Sequence, residues 1–336
     1  MTTEIRSPYT VPADILDALR AYDRVLITAH AHPDGDATGS CLALAWALHG
    51  LGKEVRVFNE DGIPGFLSFL EAPAPVVTAV EDLPWTPELI AVLDCGDRAR
   101  VGEKLQPLMD AVPTLDIDHH LANPNFGSAG NWAVPSASAT GELVGLIVLE
   151  LGAPLQGPLA EALYVALSSD TGNFSYGNTT PCALRLTALL REQGLDIAAL
   201  REKLENNWSE AKLRLWGRLM NETRVLEEGR LAAAFVTRAV LAETGSRRED
   251  AEGFVEQLRR LAGVRVALLL REEEKDGKVV TKASLRSSGD DSVRDVAAAF
   301  GGGGHKNAAG ATIAMEADGV LDALLPHIRA IWNENA

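Results

Sequence analysis

A two-domain α/β chain, its first domain built on a parallel sheet covered by helices on both faces, is the fold class this sequence predicts. Three observations carry that expectation. Short, continuous apolar runs alternate with helical stretches through the first half, the pattern of strands buried on both faces. The 336 residues exceed what one typical core holds. The strand–helix pattern also restarts near Leu231, after a long helical region.

Taken in order, Val25-Leu26-Ile27-Thr28-Ala29 reads as a buried strand, stopped by the Pro and Gly of His30-Ala31-His32-Pro33-Asp34-Gly35-Asp36. A helix from Thr38 to about Leu51 and a strand at Glu54–Phe58 follow. The apolar run Leu89–Leu93 ends at Asp94, and the run Pro113–Ile117 ends at Asp118-His119-His120. Helices fill Ala139 to about Met220, including Ala160–Ser169 and Thr187–Gln193, and the charged stretch Leu200–Glu222 reads as a connecting helix. The second domain then shows a strand at Leu231–Val236 and a helix at Glu249–Leu261. Val264–Arg271 and Lys278–Leu285 read as a hairpin across Asp276-Gly277, and a short helix, Val293–Phe300, runs into Gly301–Gly304. The expected boundaries are 12–195 for the first domain, 196–228 for a helical linker and 229–336 for the smaller second domain, with the active site in the cleft between the domains.

Composition narrows the function classes. No apolar run approaches the ~18–20 residues of a membrane span, and Met1–Pro12 is polar, which points to a cytoplasmic protein without a membrane partner. Cys41, Cys95 and Cys182 are widely separated and read as reduced thiols rather than a disulfide or zinc framework. The net charge of −16, with no basic tail, argues against long duplex nucleic acid, whose binding needs many phosphates neutralised at once. A nucleic-acid substrate should then be short; the plainer alternative is that the charge only keeps the protein soluble.

Four clusters carry chemistry. His30, Asp34 and Asp36 leave a strand end on one loop, where unpaired buried carboxylates are costly and a divalent cation supplies the missing charge. The competing reading is an Asx turn capping the next helix. Asp94 closes a strand, with an N-cap as its alternative, and Asp97 reads as such a cap. Asp118-His119-His120 places two adjacent imidazoles, in a chain with only seven histidines, so that one can ligate metal while its neighbour meets substrate. Asp170 ends an apolar helix before a Gly turn. Together His30, Asp34, Asp36, Asp94, His119 and Asp170 suit two ions ~3.5–4 Å apart, with one carboxylate bridging and a water between the ions ionising to the nucleophile. Asp with His favours harder first-row ions such as Mn²⁺ and leaves Zn²⁺, Fe²⁺ and Co²⁺ open.

The fifth feature is Gly301-Gly302-Gly303-Gly304-His305-Lys306-Asn307-Ala308-Ala309-Gly310. Its glycines let backbone N–H groups approach an anion, and His305 and Lys306 add donors. Upstream, Arg286 in Ser284-Leu285-Arg286-Ser287 can grip a phosphate bidentately. His32 falls outside the ligand set, His49 and His327 read as ordinary helix histidines, and Trp208 and Trp216 as packing residues.

His30-x-x-Pro33-Asp34-x-Asp36-x-x-Gly39-Ser40, Asp94, Asp118-His119-His120 and Asp170 resemble, in order, the motifs of the DHH phosphoesterases. The segments around Arg286-Ser287 and Gly302–Gly310 are similar to the associated DHHA1 domain. Within that family, the two-domain size resembles bacterial oligoribonucleases acting on very short RNA, which also dephosphorylate 3′-phosphoadenosine 5′-phosphate (pAp). The resemblance implies that His30, Asp34 and Asp94 hold one Mn²⁺. It implies that Asp36, Asp94, His119 and Asp170 hold a second, with Asp94 bridging. His120 would contact the scissile phosphate or protonate the leaving oxygen. Arg286, Ser287, Gly302, Gly303, Gly304, His305, Lys306 and Asn307 would bind the rest of the substrate. A stand-alone phosphodiesterase for cyclic or linear dinucleotides is the alternative, with a non-catalytic nucleotide sensor behind it. The choice among short RNA, short DNA, pAp and dinucleotides stays open, as does a homodimer.

Overall fold

In the computed structural model, residues 7–206, 208–275 and 277–333 are described. They form two compact units, one up to residue 206 and the other from Trp208.

The first unit is built on five parallel strands: β1 (Arg24–Thr28), β2 (Glu54–Phe58), β3 (Leu89–Leu93), β4 (Thr114–Asp118) and β5 (Gly130–Ala133), in the order β2-β1-β3-β4-β5. Side chains alternate between two cores, as the strand period of two requires. Val25, Ile27, Leu89, Ala91, Leu93, Leu115 and Ile117 join the core formed with helices Gly35–Gly50, Thr140–Glu150, Pro158–Asp170 and Pro181–Glu192. Leu26, Phe58, Ile90 and Val92 face a thinner layer of Val101, Leu105 and Met109. Because the strand order reverses between β1 and β3, the chain departs in opposite directions there and leaves a crevice at the carboxyl ends.

Three expectations shift. The helix expected from Thr38 begins at Gly35, because Asp34 is itself its N-cap and accepts from the Ala37 amide at 3.0 Å; Asp36 therefore lies in the first helical turn, not on a loop. The expected continuous helix Leu200–Glu222 is two, Ile197–Glu205 and Glu210–Glu222, the second capped by Ser209. The helix expected at Glu249–Leu261 is interrupted by Gly253 at φ +81°, leaving a 3₁₀ turn Arg248–Ala251 and the helix Phe254–Leu258. All three cysteines are buried and free.

The second unit carries six strands: β6 (Arg224–Leu226), β7 (Leu231–Val236), β8 (Val266–Lys275), β9 (Lys278–Ser287), β10 (Gly303–His305) and β11 (Ala308–Ile313), in the order β10-β11-β9-β8-β7-β6. Only β7 and β8 pair in parallel. One face packs on helix Ala317–Asn333, the other on Leu215, Trp216 and Leu219 of helix Glu210–Glu222. The β8–β9 hairpin forms as expected; Asp276 of its turn lies outside the described residues. The glycine run departs from the open loop expected. Gly303 and Gly304 pair with Gly310 and Ala309, and a Cβ at Gly302 or Gly304 would strike the β11 backbone, so these two glycines serve close strand approach. No helix among the described residues is long and apolar enough to cross a membrane.

Candidate functional site

The carboxyl ends of β1, β3 and β4 meet the first turn of helix Gly35–Gly50 and the last residue of helix Pro158–Asp170. His30 lies two residues beyond β1; its Nδ1 faces the Ala31 carbonyl at 2.8 Å and its own carbonyl accepts from Asn59 Nδ2 at 2.9 Å. A carbonyl can only accept, so Nδ1 carries the proton and Nε2 is turned to Asp94 (3.6 Å) and Asp34 (3.8 Å). Asp34 caps the helix through Oδ1, while Oδ2 stays turned to His30.

Asp94, one residue past β3, adopts φ +54°, a left-handed backbone rarely used by non-glycine residues. Its carboxylate lies among three imidazoles, 3.6 Å from His30 Nε2, 3.5 Å from His119 Nε2 and 3.7 Å from His120 Nδ1, and accepts from Thr140 Oγ1 at 3.0 Å. Asp36 is fully buried and accepts from Ser40 Oγ (2.9 Å) and from the amides of Thr140 (2.6 Å) and Gly141 (2.9 Å), at the positive end of helix Thr140–Glu150. His119 Nε2 sits 3.2 Å from Asp170 and 3.7 Å from Asp36.

All six expected ligands are therefore brought to one place. The donor atoms of His30, Asp34 and Asp94 lie within 4.8 Å of one another, and so do those of Asp36, His119 and Asp170. Burial pulls the His119 imidazole down, but its hydrogen bond to Asp170 and the charges of Asp36, Asp94 and Asp170 outweigh that and push it up to about 10. Burial and the charges of Asp94 and Asp170 raise Asp36 well above the usual carboxylate range. Burial works the same way on Asp94, yet His30, His119 and His120 hold it below that range. The raised values of His119 and Asp36 mark a cluster short of positive charge. Hard oxygens and imidazole nitrogens around an excess of negative charge fit divalent cations of the first row.

His120 is turned differently. Its Nδ1 lies 2.7 Å from Oδ1 of the fully buried Asp118, and Gly96 makes room for it, since a Cβ there would come within 2.9 Å of the His120 Cβ. Sequence reasoning missed Thr140 and Gly96, placed Ser40 in the first motif without reading its bond to Asp36, and did not read the role of Asp118 in orienting His120. Thr140 and Gly141 sit in a stretch of small residues whose one signal is the start of a helix. Asp97 caps the turn Arg98–Val101 as read. His32 is exposed and paired with Asp61 at 3.1 Å; Trp208 and Trp216 pack on each other.

In the second unit, Arg286 Nε donates to Glu256 at 2.9 Å and Lys306 Nζ to Asp290 at 2.8 Å. Ser287 is buried, donating to the Asp291 carbonyl and accepting from Asn307 Nδ2 at 2.9 Å. Both were expected to bind substrate; here Ser287 and Asn307 spend their hydrogen bonds holding the turn between β9 and helix Val293–Ala298. His305 is exposed at the end of β10.

The DHH family N-terminal domain matches residues 24–167 and the DHHA1 domain residues 229–334. The bifunctional oligoribonuclease and PAP phosphatase NrnA of Thermus thermophilus is 34% identical over 319 residues, covering 94% of this chain and 92% of that one. The chain belongs to the DHH family. A second relative bearing the NrnA name, from Bacillus subtilis, is 28% identical over 316 residues, covering 92% and 96%. The crystal structure of an exopolyphosphatase-related protein from Bacteroides fragilis superimposes with a TM-score of 0.87 at 26% identity, over 97% of this chain and 99% of that one. In this DHH-family chain, His30 through His120 fall inside the DHH match, Asp170 lies three residues beyond it, and Arg286 through Asn307 fall inside the DHHA1 match.

Proposed function

We propose that this DHH-family chain hydrolyses very short oligonucleotides to mononucleotides and also dephosphorylates pAp, using two Mn²⁺ ions. That it is a phosphoester hydrolase follows from its family and its relatives. The observation that carries the finer reading is the set of three overlapping ligand trios at one sheet end, His30-Asp34-Asp94, Asp36-His119-Asp170 and Asp94-His119-His120, with Asp94 within 3.6 Å of both His30 and His119.

His30, Asp34 and Asp94 would hold one ion, and Asp36, Asp94, His119 and Asp170 the other. Bound there, the ions supply the charge that acidifies a water and offsets charge building on the phosphoryl oxygens. The chain's own residues do the rest. Thr140 and Ser40 fix the carboxylates Asp94 and Asp36, so ligand geometry is set before substrate arrives. His120, steered by Asp118, meets the scissile phosphate or protonates the departing oxygen. Arg286, His305 and Lys306 bind a second phosphate, Arg286 and Lys306 exchanging a carboxylate partner for it. The Gly302 amide is already given to the Ala297 carbonyl at 2.9 Å, and Gly303 and Gly304 pair with β11. The charge of −16 favours a short substrate, because few phosphates can be neutralised at once.

The test is kcat/KM, with Mn²⁺ added to chelator-stripped protein, for RNAs of two to about twenty nucleotides, pAp and a cyclic dinucleotide. The reading expects a maximum at two to five nucleotides and measurable pAp turnover. A rate constant that does not fall with length, or a preference for the cyclic dinucleotide, overturns it.

A further inference from the structure

Asp116 is a buried carboxylate that the proposed chemistry does not use. It is fully buried, two residues before Asp118 on the same face of β4, while Leu115 and Ile117 turn to the opposite core. Two acids side by side under a protein surface repel and need a shared donor. Asn123 is that donor. Its Nδ2 gives one hydrogen to Asp116 Oδ1 at 3.0 Å and the other to Asp118 Oδ2 at 2.8 Å, and its Oδ1 accepts from the Asn125 amide at 2.7 Å. The remaining Asp116 oxygen accepts from the Phe126 amide at 3.2 Å, so the loop after His120 is fastened back onto β4.

The arrangement leaves Asp118 Oδ1 for His120 Nδ1, 2.7 Å away. A competitor is close: Asp94 Oδ1 lies 3.7 Å from the same nitrogen. An Asp118 free to rotate about its carboxylate bond would let His120 swing onto a candidate metal ligand.

We propose that Asn123, anchored on Asp116, is a positioning residue for His120: it grips one oxygen of Asp118 so that the other fixes the imidazole away from Asp94. The inference rests on the proposed role of His120 at the scissile phosphate. It is tested on the full-length, Mn²⁺-loaded protein with a short RNA, comparing Asn123→Ala, His120→Ala and the double variant. Asn123→Ala should lower kcat about 10–100-fold, the range found when groups that orient functional residues are removed. KM and the half-saturating Mn²⁺ concentration should stay within about twofold, and the double variant should be no slower than His120→Ala alone. Asn123→Ser, which keeps one donor on a shorter side chain, should fall between wild type and Asn123→Ala and serves in its place if the alanine variant does not fold. A wild-type kcat in Asn123→Ala, or an equal further loss in the His120→Ala background, overturns the inference while leaving the proposed function standing. His120→Ala with wild-type kcat overturns the role of His120 and this inference with it.

Discussion

The two units treat charge in opposite ways. In the first, Asp36 and Asp94 are essentially inaccessible and their ion-pair partners are imidazoles that must be protonated to answer them. In the second, Arg286 and Lys306 are partly exposed and each already has a carboxylate, Glu256 and Asp290. The Lys306–Asp290 pair is exposed and is given up cheaply, whereas Arg286–Glu256 is only about a quarter exposed and holds more firmly. Buried carboxylates are different, since the desolvation they suffer is repaid only by strong, well-placed positive charge. The first unit thus carries an excess of buried carboxylate that divalent cations would answer, whereas the second is balanced pair by pair.

That contrast can be broken most sharply at Asp94. Asp94→Ala should reduce hydrolysis on the order of 10³-fold or more, the scale of losing a main electrostatic contact in the transition state; near-normal turnover would mean the imbalance in the first unit has no catalytic purpose. Thr140→Val, which deletes one hydrogen bond to Asp94, should weaken Mn²⁺ affinity or activity about 10–100-fold, with Thr140→Ser largely restoring it. Arg286→Ala in the balanced unit should raise KM about tenfold or more, from one charged hydrogen-bonding group, with the half-saturating Mn²⁺ concentration unchanged. Lys306→Ala, half exposed, should change KM only about two- to fourfold, in line with the small worth of exposed charge pairs.

Stability against pH sharpens the same contrast. The folded-state value of His119 is raised above its unfolded one to about 10, so without metal its contribution is full below about 6.5 and is lost as pH rises toward 10. Asp36, also raised, acts with the same sign. Metal-free protein should therefore melt at falling temperatures from pH 6.5 to 10, while Mn²⁺ affinity climbs across that window because ligands must shed protons. Calorimetry in buffers of different ionisation enthalpy should register proton release on Mn²⁺ binding. A melting temperature that rises over this range would contradict the protonated site.

Much of the first unit was legible because its strands are apolar throughout and its polar residues appear abruptly at their ends: Leu89–Leu93 into Asp94, and Ile117 into Asp118-His119-His120. Residues whose chemistry announces itself, such as His and Asp at strand ends, were found. Residues that act through a backbone amide or one hydroxyl were not: Thr140 and Gly141 hold Asp36 from 104 and 105 positions away, and Thr140 holds Asp94 from 46 positions away. Gly253 broke an expected helix because apolar periodicity does not register a left-handed residue. In the second unit the glycine run read as an open cradle, since a sequence cannot distinguish glycine that frees a loop from glycine that admits a neighbouring strand.

The contact between helices Gly35–Gly50 and Pro158–Asp170 has a consequence for the ions themselves. At Gly39 a Cβ would overlap the Ala162 carbonyl and come within 2.7 Å of the Ala166 amide, so the helices touch backbone to backbone. Asp36 and Asp170 ride on those two helices, and the side chain nearest that contact is the compact methyl of Ala166. The spacing between the two helices that carry these carboxylates is thus set by backbone contact at a glycine one turn from Asp36, and a larger residue there would push the two carboxylates apart.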